Sequence, residues 1–133
     1  MLANGAEIAS LSAITSGRAR REFDRSGYAP DTDRAVYQKA FAEWVKTDPR
    51  ATLGDRKAQA AWSLGHRGQE VSAPALVVVG EHEEEASVAA ATELAATLGS
   101  ASVDTLAGAG RRGAIEQPAA LAARIAGFLK GAQ

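Results

Sequence analysis

The most continuous hydrophobic pattern in the chain lies at residues 73–79, where six apolar residues flank a single proline, Pro74. No polar residue alternates with them, and Gly80 follows the last valine. An unbroken apolar run of this length is typical of a strand covered on both faces, as in a parallel sheet between helices. Proline is tolerated at the start of a strand, and glycine permits a sharp turn after its end. The pattern therefore predicts a buried parallel strand.

The second half of the chain alternates between helix and strand patterns. Three glutamates at 83–85 precede a predicted helix over 86–98, and a second strand is predicted over 101–107. A glycine-rich loop over 108–113 leads to a last helix that begins near Pro118. The predicted buried stripe of that helix consists of Leu121, Ile125, Phe128 and Leu129. The order strand, helix, strand, helix predicts parallel pairing of the two strands.

The first half of the chain carries amphipathic helical patterns and no convincing strand beyond an apolar stub at residues 1–3. Asp48 and Pro49 have the residue types of an N-cap and a first helical position. They separate two predicted helices. The first has an apolar face made of Tyr37, Phe41, Trp44 and Val45. The second has one made of Leu53, Ala60 and Leu64.

A short charged helix is also predicted over residues 18–25, where four arginines are mixed with two acidic residues. Clustered arginines are candidates for phosphate binding, but a solvated helix face explains such a mixture equally well. Together these patterns predict one α/β domain: a strand stub and a helical, cap-like segment over 1–70, then a strand–helix–strand–helix unit over 71–133. The expected architecture is a small parallel sheet with flanking helices.

Composition narrows the class of protein. The 133 residues have a net charge of −1, which argues against a dedicated nucleic-acid or membrane-surface protein. Cysteine is absent, so no disulfide framework or thiolate site is expected. The apolar runs are far shorter than the ~20 residues that span a bilayer, and no basic leader precedes them. A cytoplasmic protein is the expectation.

Few residues are available for metal or acid–base chemistry. The chain has two histidines, His66 and His82, and their spacing to the glutamates at 83–85 matches no known ligand pattern. Solvent-facing roles are expected for both imidazoles. No metal and no cofactor is predicted.

The stretch from Pro74 to Glu83, followed by a helix, Leu106–Arg111 and then Glu116-Gln117-Pro118, resembles the carboxyl-terminal part of an α/β-hydrolase. The nearest likeness is to oxoadipate enol-lactone hydrolases and related esterases and haloperoxidases. The resemblance is clearest over 72–129 and weaker in the cap-like segment. It implies a partial α/β-hydrolase fold preceded by a helical cap, with a small apolar ester-like molecule as ligand.

The same resemblance implies two site residues. In that family the penultimate strand is followed by the acid of a Ser–His–acid triad, and the last strand by the histidine base. These positions hold Glu83 and Arg111 in this chain. Glutamate can serve as a triad acid, but arginine stays protonated and cannot accept the serine proton. The chain also lacks the Gly-x-Ser-x-Gly turn that carries the nucleophile. A protein inactive by itself is therefore expected.

Other functions remain open at this point. The chain is also consistent with a non-catalytic binding or assembly module, which would account for Arg111, or with a fragment completed by a separate amino-terminal half. A more remote alternative is nucleotide binding, since Gly108, Gly110 and Gly113 match the spacing of a dinucleotide fingerprint after a strand. Against it, no strand pattern follows the last helix, and no acidic residue follows Glu116.

The sequence also leads us to expect a homo-oligomer. A small sheet that begins with the stub at 1–3 would leave an edge with unpaired N–H and C=O groups, which is a template for pairing with another chain. A symmetric dimer would satisfy those groups. A cap segment folded over the edge would do the same within one chain.

Overall fold

The structure is a computed structural model that describes residues 5–132. Six helices, two strands and one 3-10 helix follow one another in the described residues. In chain order they are α1 (Gly5–Thr15), α2 (Arg34–Trp44), α3 (Pro49–Ala61), the 3-10 helix (Gly65–Glu70), β1 (Ala75–Gly80), α4 (Glu85–Thr97), β2 (Ala101–Leu106), α5 (Gly113–Glu116) and α6 (Pro118–Gly131). The stub expected at residues 1–3 lies outside the described residues, so the dimer argued from it stays a prediction.

The described chain divides into two compact units. The helical unit contains the described residues up to Asp24 together with Gln38–Ser63. The sheet unit contains Arg25–Tyr37 and the described residues from Leu64 onward. The boundaries of these units do not coincide with the division near residue 70 that the sequence predicts. That division remains a prediction about domain organisation.

In the sheet unit, β1 and β2 pair in parallel, as the order of elements predicts. The register runs from Ala75 opposite Ala101 to Gly80 opposite Leu106. Gly80 is the last residue of β1 rather than a turn residue, and its backbone lies so close to the next loop that a Cβ would meet the carbonyl oxygens of Ala109 and Gly110. This glycine is therefore required for close approach, not for a left-handed turn.

Burial of the sheet is less complete than the sequence predicts. In β1 only Val79 and Gly80 are buried, and the preceding strand residues are half-buried. The stripe predicted on the last helix is also wrong in part, because Ile125 and Leu129 of α6 are 44% and 57% exposed. An uninterrupted apolar run shows only that a segment is hydrophobic. Whether the segment is buried depends on the elements that pack against it, and each described strand has a single partner strand.

The core of the sheet unit lies at the carboxyl ends of the strands. Its buried apolar side chains are Val79, Leu106, Ala109, Tyr28 and Ala29. The last two come from the segment Arg25–Tyr37, far away in sequence, and Ala109 has no exposed surface at all. The best-packed region is thus the region where open parallel sheets place their functional loops.

In the helical unit, α1 packs against α3 and buries Leu11. The predicted N-cap of α3 is confirmed, because the Asp48 carboxylate accepts a hydrogen bond from the Arg50 amide at 2.8 Å and Pro49 occupies the first turn. The hydrogen bond from the Arg50 side chain lowers the pKa of Asp48 to about 2. The helix ends at Ala61, earlier than predicted, so Leu64 is not part of its apolar face.

The charged helix predicted over 18–25 is wrong. Helix α1 ends at Thr15, and Gly17 follows with a φ of 72°. The Arg21 guanidinium then donates to the carbonyl oxygens of Trp44 and Thr47 and lies 4.8 Å from the centre of the Trp44 ring. Long-range contacts of this kind outweigh the helix propensity of arginine, although arginine is among the better helix formers. They also give Arg21 a structural role in place of phosphate binding.

Candidate functional site

The loop that follows β1 is joined by three hydrogen bonds to the end of β2 and to the loop after it. The amide of Glu81 donates to the carbonyl of Leu106 at 3.0 Å, and that of His82 to Ala109 at 2.9 Å. In return, the Gly108 amide donates to the Glu81 carboxylate at 2.8 Å. The two loops therefore form one continuous surface at the carboxyl edge of the sheet.

A shallow, open depression with room for about one water molecule lies on this surface, within the sheet unit. Its lining residues are Ser26, His82, Glu83, Glu84, Ser87 and Arg111. The structure thus brings together both site residues named from the sequence, one from each loop. It places His82 beside them, and it adds two serines that the sequence analysis did not single out.

Glu83 is held in place by the turn that carries it. Its side chain is half-buried, and Oε1 accepts a hydrogen bond from the Gly80 amide at 3.1 Å. Its own amide donates back to the Gly80 carbonyl at 3.1 Å. Both contacts depend on the last residue of β1, so the end of the strand fixes the position of this carboxylate.

Arg111 also lines the depression, and its side chain lies next to the segment Arg25–Tyr37. Its side chain runs past Gly27, where a Cβ would lie 3.1 Å from Nη2. The guanidinium is a fixed positive charge with donors only, so it can bind an oxygen atom but cannot take up a proton. Arg111 gives the depression a permanent cation in addition to the carboxylates that line it.

Both histidines of the chain are exposed, and one of them lies at the depression. His82 lines the depression but is exposed, and its backbone rather than its imidazole makes the hydrogen bond to the loop after β2. His66 is exposed in the 3-10 helix and is not a lining residue. These positions agree with the expected solvent-facing roles.

Sequence reasoning missed the part played by Glu116. Its Oε1 accepts hydrogen bonds from the Ala29 amide at 2.6 Å and the Thr32 hydroxyl at 2.5 Å. Its Oε2 accepts one from the Gly110 amide at 2.9 Å. In the sequence, Glu116 stands out only as part of the Glu116-Gln117-Pro118 stretch before the last helix, which belongs to the α/β-hydrolase resemblance. No local pattern links it to a residue 87 positions away.

The glycines of the loop after β2 have structural explanations in this fold. Gly108 has a φ of 64°, which favours glycine. At Gly110 a Cβ would lie 2.8 Å from Ala29 N, and at Gly113 one would lie 2.8 Å from Leu106 Cδ2. Protein atoms occupy the space that a phosphate would need beside Gly110. The helix opened by Gly113 has only four residues.

A comparison with solved structures finds MenH from S. aureus, an α/β-hydrolase, with a TM-score of 0.75 at 16% sequence identity. The match covers 96% of this chain. The chain has an α/β-hydrolase-like fold. It covers 51% of MenH, so it spans about half the length of that α/β-hydrolase.

The comparison supports the α/β-hydrolase-like fold that the sequence resemblance implied, and the small parallel sheet with flanking helices is consistent with a partial fold of that kind. No family model matches the sequence, and no curated protein matches it. At 16% identity the likeness to an α/β-hydrolase concerns the fold alone. The triad positions assigned to Glu83 and Arg111 therefore stay predictions.

Over 5–132, no group of three or more histidine or acidic side chains is arranged to hold a metal ion. Over the same residues, no helix has the length and hydropathy needed to cross a membrane.

Proposed function

We propose that this chain carries the acid and base positions of an ester- or lactone-hydrolase type of α/β-hydrolase, and that it has no serine hydrolase activity by itself. One observation carries the proposal: Glu83 after β1 and Arg111 after β2 line the same depression. In α/β-hydrolases the triad acid precedes the base in the chain, and the nucleophile precedes both. Their order in the chain and their shared depression support assigning Glu83 to the acid position and Arg111 to the base position.

The chemistry expected of such a site is incomplete. A triad needs a nucleophile, a base that accepts its proton and an acid that orients the base. Glu83, fixed by the Gly80 amide, is suited to the third role. Arg111 is not suited to the second, because it remains protonated at any usable pH. Loss of a triad member removes several orders of magnitude of rate.

The ligand expected of the depression follows from its charges. A small ester-like molecule would present a carbonyl or carboxylate oxygen to the Arg111 guanidinium, with Ser26 and Ser87 as further donors. Glu83 and Glu84, which line the same depression, disfavour larger anions such as polyphosphates. This arrangement supports binding of a small neutral or singly charged molecule.

An active-site-directed fluorophosphonate should fail to label the isolated chain. The reagent needs a serine activated by a base, and neither the Gly-x-Ser-x-Gly turn nor a histidine at position 111 is present in the sequence. Mass spectrometry of the treated protein checks this, with an active serine esterase as positive control and the urea-unfolded chain as control for non-specific modification. Stoichiometric modification of one serine in the folded chain only would contradict the proposal.

A non-catalytic binding module is the second candidate, and Arg111 itself favours it. A fixed cation beside carboxylates suits recognition of a polar ligand without proton transfer. The two candidates differ over Glu83. A site derived from a hydrolase has this carboxylate facing residue 111, whereas a binding module requires no such pairing.

A further inference from the structure

We propose that Glu116 is the positioning residue of this site, and that it sets the place of Arg111 by joining two segments through one carboxylate. The inference concerns where Arg111 is held, so it stands whether or not the site descends from a hydrolase. The hydrogen bonds of Glu116 on which it rests play no part in assigning Glu83 and Arg111 to the triad positions.

The carboxylate of Glu116 makes a different connection with each oxygen. Oε1 accepts from the Ala29 amide and the Thr32 hydroxyl, and Oε2 accepts from the Gly110 amide. Hydrogen bonds to an ionised carboxylate are shorter and stronger than those between neutral groups. Because the carboxylate is rigid and planar, it fixes the distance between the segment at 29–32 and the loop after β2.

Glu116 is itself held from the same loop. Its amide donates to the Arg112 carbonyl at 3.1 Å, and the neighbouring Gln117 side chain donates to the Gly108 carbonyl at 3.3 Å. The loop from Gly108 to Arg112 is thus attached at both ends and in the middle. A shift of Gly110 would carry Arg111 with it, since the two residues are adjacent.

The surroundings leave little room for an alternative position of the loop. Ala29 and Gly110 are buried, and a Cβ on Gly110 would lie 2.8 Å from both Ala29 N and Tyr28 C. Arg111 then passes Gly27 on its way into the depression. Position 111 is therefore defined by how closely the segment 27–32 is held, which is what Glu116 controls.

Two substitutions of Glu116 distinguish its hydrogen bonds to the segment at 29–32 from its hydrogen bond to the Gly110 amide. A glutamine side chain has a single acceptor oxygen, and two of the three hydrogen bonds are kept when that oxygen occupies the position of Oε1. Glu116→Gln should therefore release the Gly110 amide, while the Ala29 amide stays hydrogen-bonded. Glu116→Ala should release both amides. Hydrogen exchange followed by NMR should show each released amide exchanging about tenfold faster or more, as expected for loss of a charge-assisted hydrogen bond.

A second readout reports the position of Arg111 directly. The Arg111 Nε–Hε resonance should shift in Glu116→Gln and keep its position in Glu93→Gln, which removes one negative charge at an exposed site of α4. If Glu116→Ala does not fold, Thr32→Val removes one donor with little change of shape and should shift the same resonance by a smaller amount.

The proposal is overturned if the Gly110 amide and the Arg111 resonance are unchanged in folded Glu116→Gln. It is also overturned if exchange accelerates equally at all amides of the sheet unit, because Glu116 would then contribute to general stability alone. Neither result depends on whether the depression binds or hydrolyses a ligand.

Discussion

Replacement of Gly80 by alanine is expected to lower the free energy of unfolding of the sheet unit by about 3 kcal/mol. The added methyl group would meet the carbonyl oxygens of Ala109 and Gly110, with 2.5 Å to the first of them. Both are backbone atoms, so no side-chain rotation can relieve the clash. The end of β1 and the loop after β2 would have to separate, and the Glu83 carboxylate would lose its contact with the Gly80 amide.

Gly127→Ala is the matched control for this prediction. Gly127 lies inside α6, and nothing lies within 4 Å of a Cβ built there. Alanine should therefore raise stability by up to about 1 kcal/mol through helix propensity. Urea denaturation followed by circular dichroism measures both changes. A loss below about 1 kcal/mol for Gly80→Ala would contradict the packing described at the carboxyl edge.

Gly110→Ala is expected to detach the segment Arg25–Tyr37 from the loop after β2, at a cost of about 2 kcal/mol or more. The new methyl group would lie 2.8 Å from both Ala29 N and Tyr28 C, which are again backbone atoms. Unlike Gly80, Gly110 is outside the strands, so the β1–β2 pairing should survive. The expected damage is local.

Hydrogen exchange at single amides tests this locality. The Tyr28, Ala29 and Thr32 amides should lose protection in Gly110→Ala, while Val77 and Val79 keep theirs. Gly99→Ala is the control, because Gly99 is also a loop glycine and has nothing within 4 Å of its Cβ position. Unchanged protection of Ala29 in Gly110→Ala would show that the segment does not pack on this loop.

The two strands and the helices α4 and α6 are the part of the fold that the sequence predicts well. The run ending at Val79 has no polar interruption, and a strand is the element that such a short run favours. The N-cap at Asp48 is equally local, since its partner is the amide two residues on. Features decided by neighbours within a few residues can be read from a pattern.

The features that local patterns missed depend on distant partners. The segment Arg25–Tyr37 belongs to the sheet unit because Ala29 and Thr32 bond to Glu116. Residues 18–25 are not helical because Arg21 binds carbonyls of Trp44 and Thr47. Neither contact leaves a periodic signal in the sequence.

The candidate site was predicted in part. Glu83 and Arg111 were named from a family resemblance, and the structure places both at one depression. The serines at 26 and 87 and the connection through Glu116 have no sequence signature, because they result from how three separate segments meet. A sequence motif identifies residues, but only the folded structure shows where the loops that carry them lie.

The central claim is that Glu83 faces position 111 as an acid faces its base, and an NMR titration of Arg111→His tests it most directly. A nearby carboxylate stabilises the imidazolium ion, so the pKa of the introduced imidazole should lie about one unit above its ordinary value of about 6.5. Adding Glu83→Gln should remove that increase. Adding Glu84→Gln instead, which neutralises a second carboxylate of the same depression, should leave most of it. A pKa that is the same with and without Glu83 would contradict the account.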